Sequence, residues 1–109
     1  LLLEVNPRPS ASAELISKEI PLFQYHINAS LGDLPTTPVV QSNIKASLHY
    51  FYADDNYTVP TDMNWSEECC DLPQSGSTIK KGQPICTIIA QRGKVKNIKQ
   101  SLILQMKIL

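Results

Sequence analysis

The residues near the front of this chain that could do chemistry are Glu4, Asn6 and Arg8, in the run Glu4-Val5-Asn6-Pro7-Arg8-Pro9. They follow an apolar start, Leu1-Leu2-Leu3, which with Val5 predicts a buried strand. Alternate side chains of a strand share a face. If the extended backbone continues to Arg8, a carboxylate, an amide oxygen and a guanidinium therefore project in one row. A hard cation such as Mg²⁺ takes oxygen ligands of this kind and keeps phosphate oxygens or water in its remaining positions. Arginine's rigid fork suits a carboxylate or phosphate beside such a metal. The same residues also fit a plain strand end entering a Pro-rich turn, because short motifs match by chance.

The elements that would position this row are legible from period and punctuation. Ser10 or Ser12 caps a short helix running to about residue 18 or 19, since serine accepts from the free N–H groups of a first turn. Pro21 restarts the chain as the first residue of a second helix. Leu22, Phe23, His26, Ile27 and Leu31 recur along it at helical spacing, and Gly32 supplies a left-handed stop. His26 falls on this apolar face and reads as a structural histidine. Residues 33–38 form a Pro-broken loop.

From Val39 the pattern turns to strands. Ile44, Ala46, Leu48, Tyr50 and Tyr52 alternate with Lys45, Ser47, His49 and Phe51, a half-buried strand pattern apart from Phe51, with the first set on the buried face and His49 on the polar one. Asp54-Asp55-Asn56 is a turn signal, so residues 44–59 read as a hairpin. A short strand is expected near Trp65 or Cys70. Pro73-Gln74-Ser75-Gly76 and Lys80-Lys81-Gly82 are turns around a short strand at 77–79, and 84–90 is a buried strand by its apolar, β-branched run. Val95, Ile98, Leu102, Met106 and Leu109 mark a terminal amphipathic helix. The expected fold class is α+β: one antiparallel sheet from the first strand, the 44–59 hairpin and the 84–90 strand, with a few helices packed on it.

Composition bounds the rest. A chain of 109 residues, 42% hydrophobic, fits one small domain with a modest core. Net charge is zero, yet residues 92–109 carry Arg92, Lys94, Lys96, Lys99 and Lys107 and no acid. Spread over several turns, these bases read as the solvated face of a helix, which disfavours nucleic acid as a partner. No apolar run reaches membrane-spanning length, and no basic stretch precedes Leu1–Leu3 as a secretory signal would require. Cys69, Cys70 and Cys86 are an odd set with no C-x-x-C pair, which reads as reduced thiols of a cytoplasmic protein. A zinc site combining them with His26 and His49 lacks ligand spacing. Three Asn-x-Ser/Thr sequons, at Asn28, Asn56 and Asn64, fit chance without a secretory signal.

Leu3-Glu4-Val5-Asn6-Pro7-Arg8 resembles the E-x-N-x-R metal and phosphate strand of ATP-grasp ligases. The Pro-Arg-Pro-Ser-Ala-Ser continuation is similar to a subfamily of predicted ATP-dependent carboligases related to biotin carboxylase. The helix Leu22-Phe23-Gln24-Tyr25-His26 ending at Gly32 resembles the same subfamily, as do residues 71–76 and Ile79, Gly82, Pro84 and 86–90, in order. The likeness spans most of the chain and is weakest over 35–68. It implies a C-terminal piece of an ATP-grasp fold: a metal and phosphate strand with following helices over 1–34, and a β-rich segment with a terminal helix over 35–109. Such ligases join a carboxylate to an amine or other nucleophile through an acyl phosphate, forming ADP.

By the resemblance, Glu4 and Asn6 bind Mg²⁺ or Mn²⁺, and Arg8 holds the anionic substrate or acyl phosphate. Ser10 and Ser12 contribute to ATP phosphate binding, against a competing role as helix caps. The partners implied are ATP, a small carboxylate and an N-terminal nucleotide-binding half that these residues lack, so the chain alone is expected to show little turnover. Two other classes remain open. One is a non-catalytic binding or structural module. The other is a lipoyl- or biotinyl-type carrier with Lys80 or Lys81 at its hairpin tip, although the Met-Lys-Met setting of such carriers is absent.

Overall fold

In a computed structural model, the structure describes residues 1–5, 13, 15, 20–37 and 46–109. The chain divides into two compact units, Leu1–Ile44 and Lys45–Leu109. The architecture is α+β, with two small antiparallel sheets and two helices among the described residues.

The first unit holds α1 (Leu22–Ser30). Pro21 stands at its N-cap, one residue outside the helix, where its missing N–H costs nothing. The helix ends as its glycine dictates. Gly32 adopts φ +85°, its N–H donates to the Ala29 carbonyl (3.0 Å), and the Asp33 N–H reaches back to Asn28 (2.8 Å). This paired closure satisfies carbonyls that the last turn would otherwise leave open. α1 buries no residue, and Phe23 is 69% exposed. Two expectations fail in this unit. Leu1–Val5 form no strand and lie exposed. An apolar run forms a stable strand only where a neighbour accepts its ladder and covers its face, and no described residue does so here. The helix expected from Ser10 or Ser12 lies outside the described residues, apart from Ala13 and Leu15 in 3₁₀ geometry.

The second unit carries the core. Its strands are β1 (Ser47–Tyr52), β2 (Tyr57–Thr58), β3 (Cys69–Cys70), β4 (Thr78–Ile79), β5 (Pro84–Ala90) and β6 (Lys107–Ile108), with α2 (Arg92–Gln105) between β5 and β6. One sheet has the order β1-β5-β3 and the other β4-β2-β6, all antiparallel. Short hydrogen-bonded extensions lengthen these ladders: Ala53 exchanges bonds with Gln83 and Gly82, and Val59 with Ser77 and Gly76, each at 2.8–2.9 Å. Buried Phe51, Val59, Ile79, Ile85, Ile88 and Leu102 lie at the centre, with Trp65, Ile98 and Ile103 packed around them.

The 44–59 hairpin is corrected by this topology. β1 pairs with β5 while β2 pairs with β4 and β6, so the Asp54-Asp55-Asn56 turn carries the chain from one sheet to the other. The backbone bonds of Ala53 to Gln83 and Gly82 carry the β1 pairing past Tyr52 on its β5 side, and β2 takes its partners, β4 and β6, in the other sheet. The buried face of β1 is also the reverse of the expected one. Phe51 is 7% exposed, against 51% for Tyr50 and 55% for Tyr52. Phe51 opposes Cys86 and His49 opposes Ile88, so the Phe51 face turns toward the core and the two tyrosine hydroxyls keep water.

The 84–90 strand, the short strand at 78–79 and the strand at Cys70 form as expected. The terminal helix stops at Gln105, short of its expected end. Met106 turns extended, and Leu109 donates to the Asn56 carbonyl (3.0 Å), so the last residues pair with β2. Val95, Leu102 and Met106 are buried, Ile98 is half-buried, and Arg92, Lys94, Lys96 and Lys107 are exposed. No helix among the described residues is long and apolar enough to cross a membrane.

Candidate functional site

Of the five residues assigned to metal, phosphate and substrate, Glu4 is described and is exposed in the irregular Leu1–Val5 run. Asn6, Arg8, Ser10 and Ser12 lie outside the described residues. His26 is exposed on α1, and Ser30 Oγ donates to its carbonyl (2.9 Å); the buried structural role expected for its ring is not realised. Among the described residues no group of three or more His, Cys, Asp or Glu is placed to hold a metal ion.

Polar side chains in the second unit are assembled mainly to satisfy one another. The Thr87 hydroxyl, buried in the central strand, donates to Asp71 Oδ2 at 2.8 Å. Asp71 reaches it from a left-handed backbone, φ +54°, a conformation that Asp tolerates better than most residues. It closes the exit from β3, a structural task within the 71–76 segment. The Tyr57 hydroxyl donates to the Asp54 carboxylate across the turn between the sheets. That hydrogen bond, then burial, then the nearby Asp54 and Asp55 charges push the Tyr57 phenol up to about 12. His49 sits half-buried on the core-facing side of β1, 3.2 Å from Ser47 Oγ.

Two hollows open beside α2. The larger, about 530 Å³, is a mainly apolar groove lined by Phe51, Asp54, Lys99, Gln100, Ile103 and Leu104. Lys99 Nζ stands 5.6 Å from the centre of the Phe51 ring, near enough for a cation–π contact. The smaller, about 310 Å³, has Trp65 and Leu102 beside Asn64, Ser66, Asn97 and Ser101. Their volumes fall within or near the range of small-ligand sites. The larger lining carries one acid and one base, Asp54 and Lys99, and the smaller the hydroxyls of Ser66 and Ser101.

Lys80 and Lys81 are exposed at the tip of the turn between β4 and β5, which belong to different sheets, so the hairpin expected there does not form. The tip is a tight turn, closed by Gln83 N–H to the Lys80 carbonyl (3.0 Å), with Gly82 at φ +87°. The Lys81 N–H donates to Asn56 Oδ1 (3.0 Å), which anchors the tip to the turn between the sheets.

One grouping was missed by reasoning from the sequence. Cys69 and Cys86 are diagonal neighbours on one face of the β3–β5 ladder, whereas Cys70 lies on the other face and donates to the Thr87 carbonyl (3.6 Å). Seventeen positions separate Cys69 from Cys86 in the sequence, and only the strand register brings them together. Neither a family model, nor a curated protein, nor a solved structure matches this chain.

Proposed function

We propose that this chain is the C-terminal portion of an ATP-grasp, ADP-forming carboxylate ligase that works through an acyl phosphate. The observation that carries the reading is the Glu4-x-Asn6-x-Arg8 spacing, followed in order by the Gly32-terminated helix and the Gly76, Gly82 and Pro84–Ala90 segment. The α+β architecture is compatible with it. Glu4 and Asn6 supply oxygen ligands to Mg²⁺ or Mn²⁺, and Arg8 holds the anionic substrate or acyl phosphate. Catalysis of phosphoryl transfer is mostly positioning and charge neutralisation, which is the chemistry such a triad offers. The reading requires a strand from outside the described residues to accept Leu1–Val5, together with a nucleotide-binding half that supplies the adenine pocket and phosphate-binding lysines.

The test is Glu4→Gln in protein that includes the nucleotide-binding half. Turnover, followed as carboxylate-stimulated ATP hydrolysis, should fall by orders of magnitude while the melting temperature holds. Unchanged turnover ends the metal-site assignment. A second reading, a non-catalytic binding module, is favoured by the open apolar groove beside α2. Absence of any carboxylate-stimulated ATP hydrolysis in wild-type protein would leave that reading standing.

A further inference from the structure

We propose that Cys69 and Cys86 form a reversible intrachain disulfide that fastens β3 to the central strand β5. The register carries the inference. Cys69 opposes Ile88, so Cys86, two residues along β5, lies on the same face as a diagonal neighbour. Both side chains belong to the core-facing side: Cys86 is buried in the core cluster and Cys69, half-buried, packs against it. Cys70 points to the opposite face and bonds to backbone, which removes it from competition. β3 is two residues long and is an edge of its sheet, so a covalent tie there acts on a short ladder.

The two thiols have different roles. Burial first, then the Cys69 charge and the hydrogen bond to Cys69, push the Cys86 thiol up to about 12. Burial, with the nearby Glu68 charge, also leaves Cys69 above its usual value, a rise that the neighbouring Cys86 thiol and the Ser66 backbone hold back. Cys69, the more accessible of the pair, is therefore the group that meets an oxidant, and Cys86 resolves it. With hydrogen peroxide as the two-electron oxidant, the Cys69 thiolate attacks one peroxide oxygen and the O–O bond breaks. Cys69 becomes a sulfenic acid, and the departing hydroxide takes a proton to form water. Cys86 sulfur then attacks the Cys69 sulfur, the S–O bond breaks, and a second water leaves with the Cys86 proton. In total two thiols and one peroxide give one disulfide and two waters.

Diagonal neighbours stand about 7–8 Å apart, slightly wider than the usual Cα separation of a disulfide, about 4.4–6.8 Å. Closing the bond requires the backbone of β3 to shift along β5, and a bond formed under such strain is readily reduced.

The experiment treats the full chain with hydrogen peroxide, titrates free thiols, and maps disulfides without reduction. Accessible thiols in denaturant should drop from the three of the sequence to one, with a Cys69–Cys86 cross-linked peptide recovered, and dithiothreitol should restore all three. Cys70→Ser should still form the link, and Cys69→Ser should not. Because Cys70→Ser leaves both members of the pair in place, it tests the link even if Cys69→Ser fails to fold. Three persisting thiols, a link through Cys70, chains joined only to each other, or overoxidation without a cross-link would each overturn the proposal.

Discussion

The two units of this chain divide chemistry from packing. Leu1–Ile44 contains the residues whose types and spacing suggest catalysis, yet its helix buries nothing and its apolar first residues lie exposed. Lys45–Leu109 has a closed core and satisfied buried polar groups among its described residues. Among the described residues, the second unit is stabilised by its own interior, while the first offers surfaces that gain most from a partner. Functional residues often sit on segments that a rigid scaffold positions, and here the scaffold and the motif fall in different units.

The sharpest test of that division compares one core side chain with one exposed one. Ile88, 0% exposed on the central strand, should cost about 2–5 kcal/mol when cut to alanine, because transfer and cavity terms add. Phe23→Ala on α1, by contrast, should shift stability by no more than about 0.5 kcal/mol. Urea unfolding measures both, followed by Trp65 fluorescence on the rim of the core for Ile88→Ala and by far-UV circular dichroism of the helices for Phe23→Ala. A large cost for Phe23→Ala would show that α1 is packed more firmly than its exposure indicates.

Legibility from sequence followed the same division in an unexpected way. Turn chemistry was readable: Gly32, Gly76 and Gly82 all take positive φ, the first at the stop of α1 and the other two in the turns on either side of β4, as expected. The 84–90 strand was readable because a central strand buried on both faces needs a continuous apolar run. Pairing was not. Asp54-Asp55-Asn56 looks like a hairpin turn locally, but a turn signal does not say whether the next strand stays in the same sheet. The face of β1 was misjudged because tyrosine counts as apolar in an alternation pattern while its hydroxyl seeks water, and one Phe51 outweighed two tyrosines. Leu1–Val5 has a strand's composition, but no described residue pairs with it, and composition alone cannot supply the ladder. Of the candidate site, only the identities and spacing were legible; Glu4 is the one member whose position is described.

Asp71 provides the next largest effect, within the well-packed unit. Its replacement by alanine leaves the buried Thr87 hydroxyl without its acceptor and keeps a side chain on a left-handed backbone. The expected loss is about 1–3 kcal/mol, the cost of an unsatisfied buried polar group. Asp71→Asn keeps an acceptor oxygen and tolerates the same backbone, so it should lose clearly less. Equal losses for the two variants would locate the effect in the carboxylate charge and not in the hydrogen bond.

Alkaline titration separates the units by a smaller but directional effect. Tyr57 has a raised pKa in the folded state, so between about 10 and about 12 the unfolded chain loses this proton while the folded chain keeps it. The folded state then binds more protons, and its stability must fall as pH rises through that window. Below about 10 the full contribution is present. Cys86, raised from 9.0 to about 12, acts in the same direction from a lower starting pH. Tyr57→Phe should flatten the slope above about 10 and leave the Cys86 component. The measurement is the urea midpoint across this range, and an unchanged slope would mean that the Asp54 contact does not hold the phenol protonated.

The smallest effect concerns Lys99, where the basic face of α2 meets the core. Its ammonium lies 5.6 Å from the Phe51 ring centre, while its methylene stem lies along the groove that also contains Ile103 and Leu104. A half-exposed cation over an aromatic ring contributes about 0.5–1 kcal/mol, and the stem adds packing that does not depend on charge. Lys99→Met keeps an unbranched apolar stem and removes the charge, whereas Lys99→Ala removes both. If the ring contact is electrostatic, Met should lose about half to one kcal/mol and Ala slightly more. If the lysine acts only as a cover for Phe51, Met should match or exceed the wild type and Ala alone should lose. The two outcomes differ in sign at Met, so thermal melts of the two variants side by side decide between them. An effect confined to Ala would assign this stretch of α2 to the packing of the second unit and leave its charge to solvent.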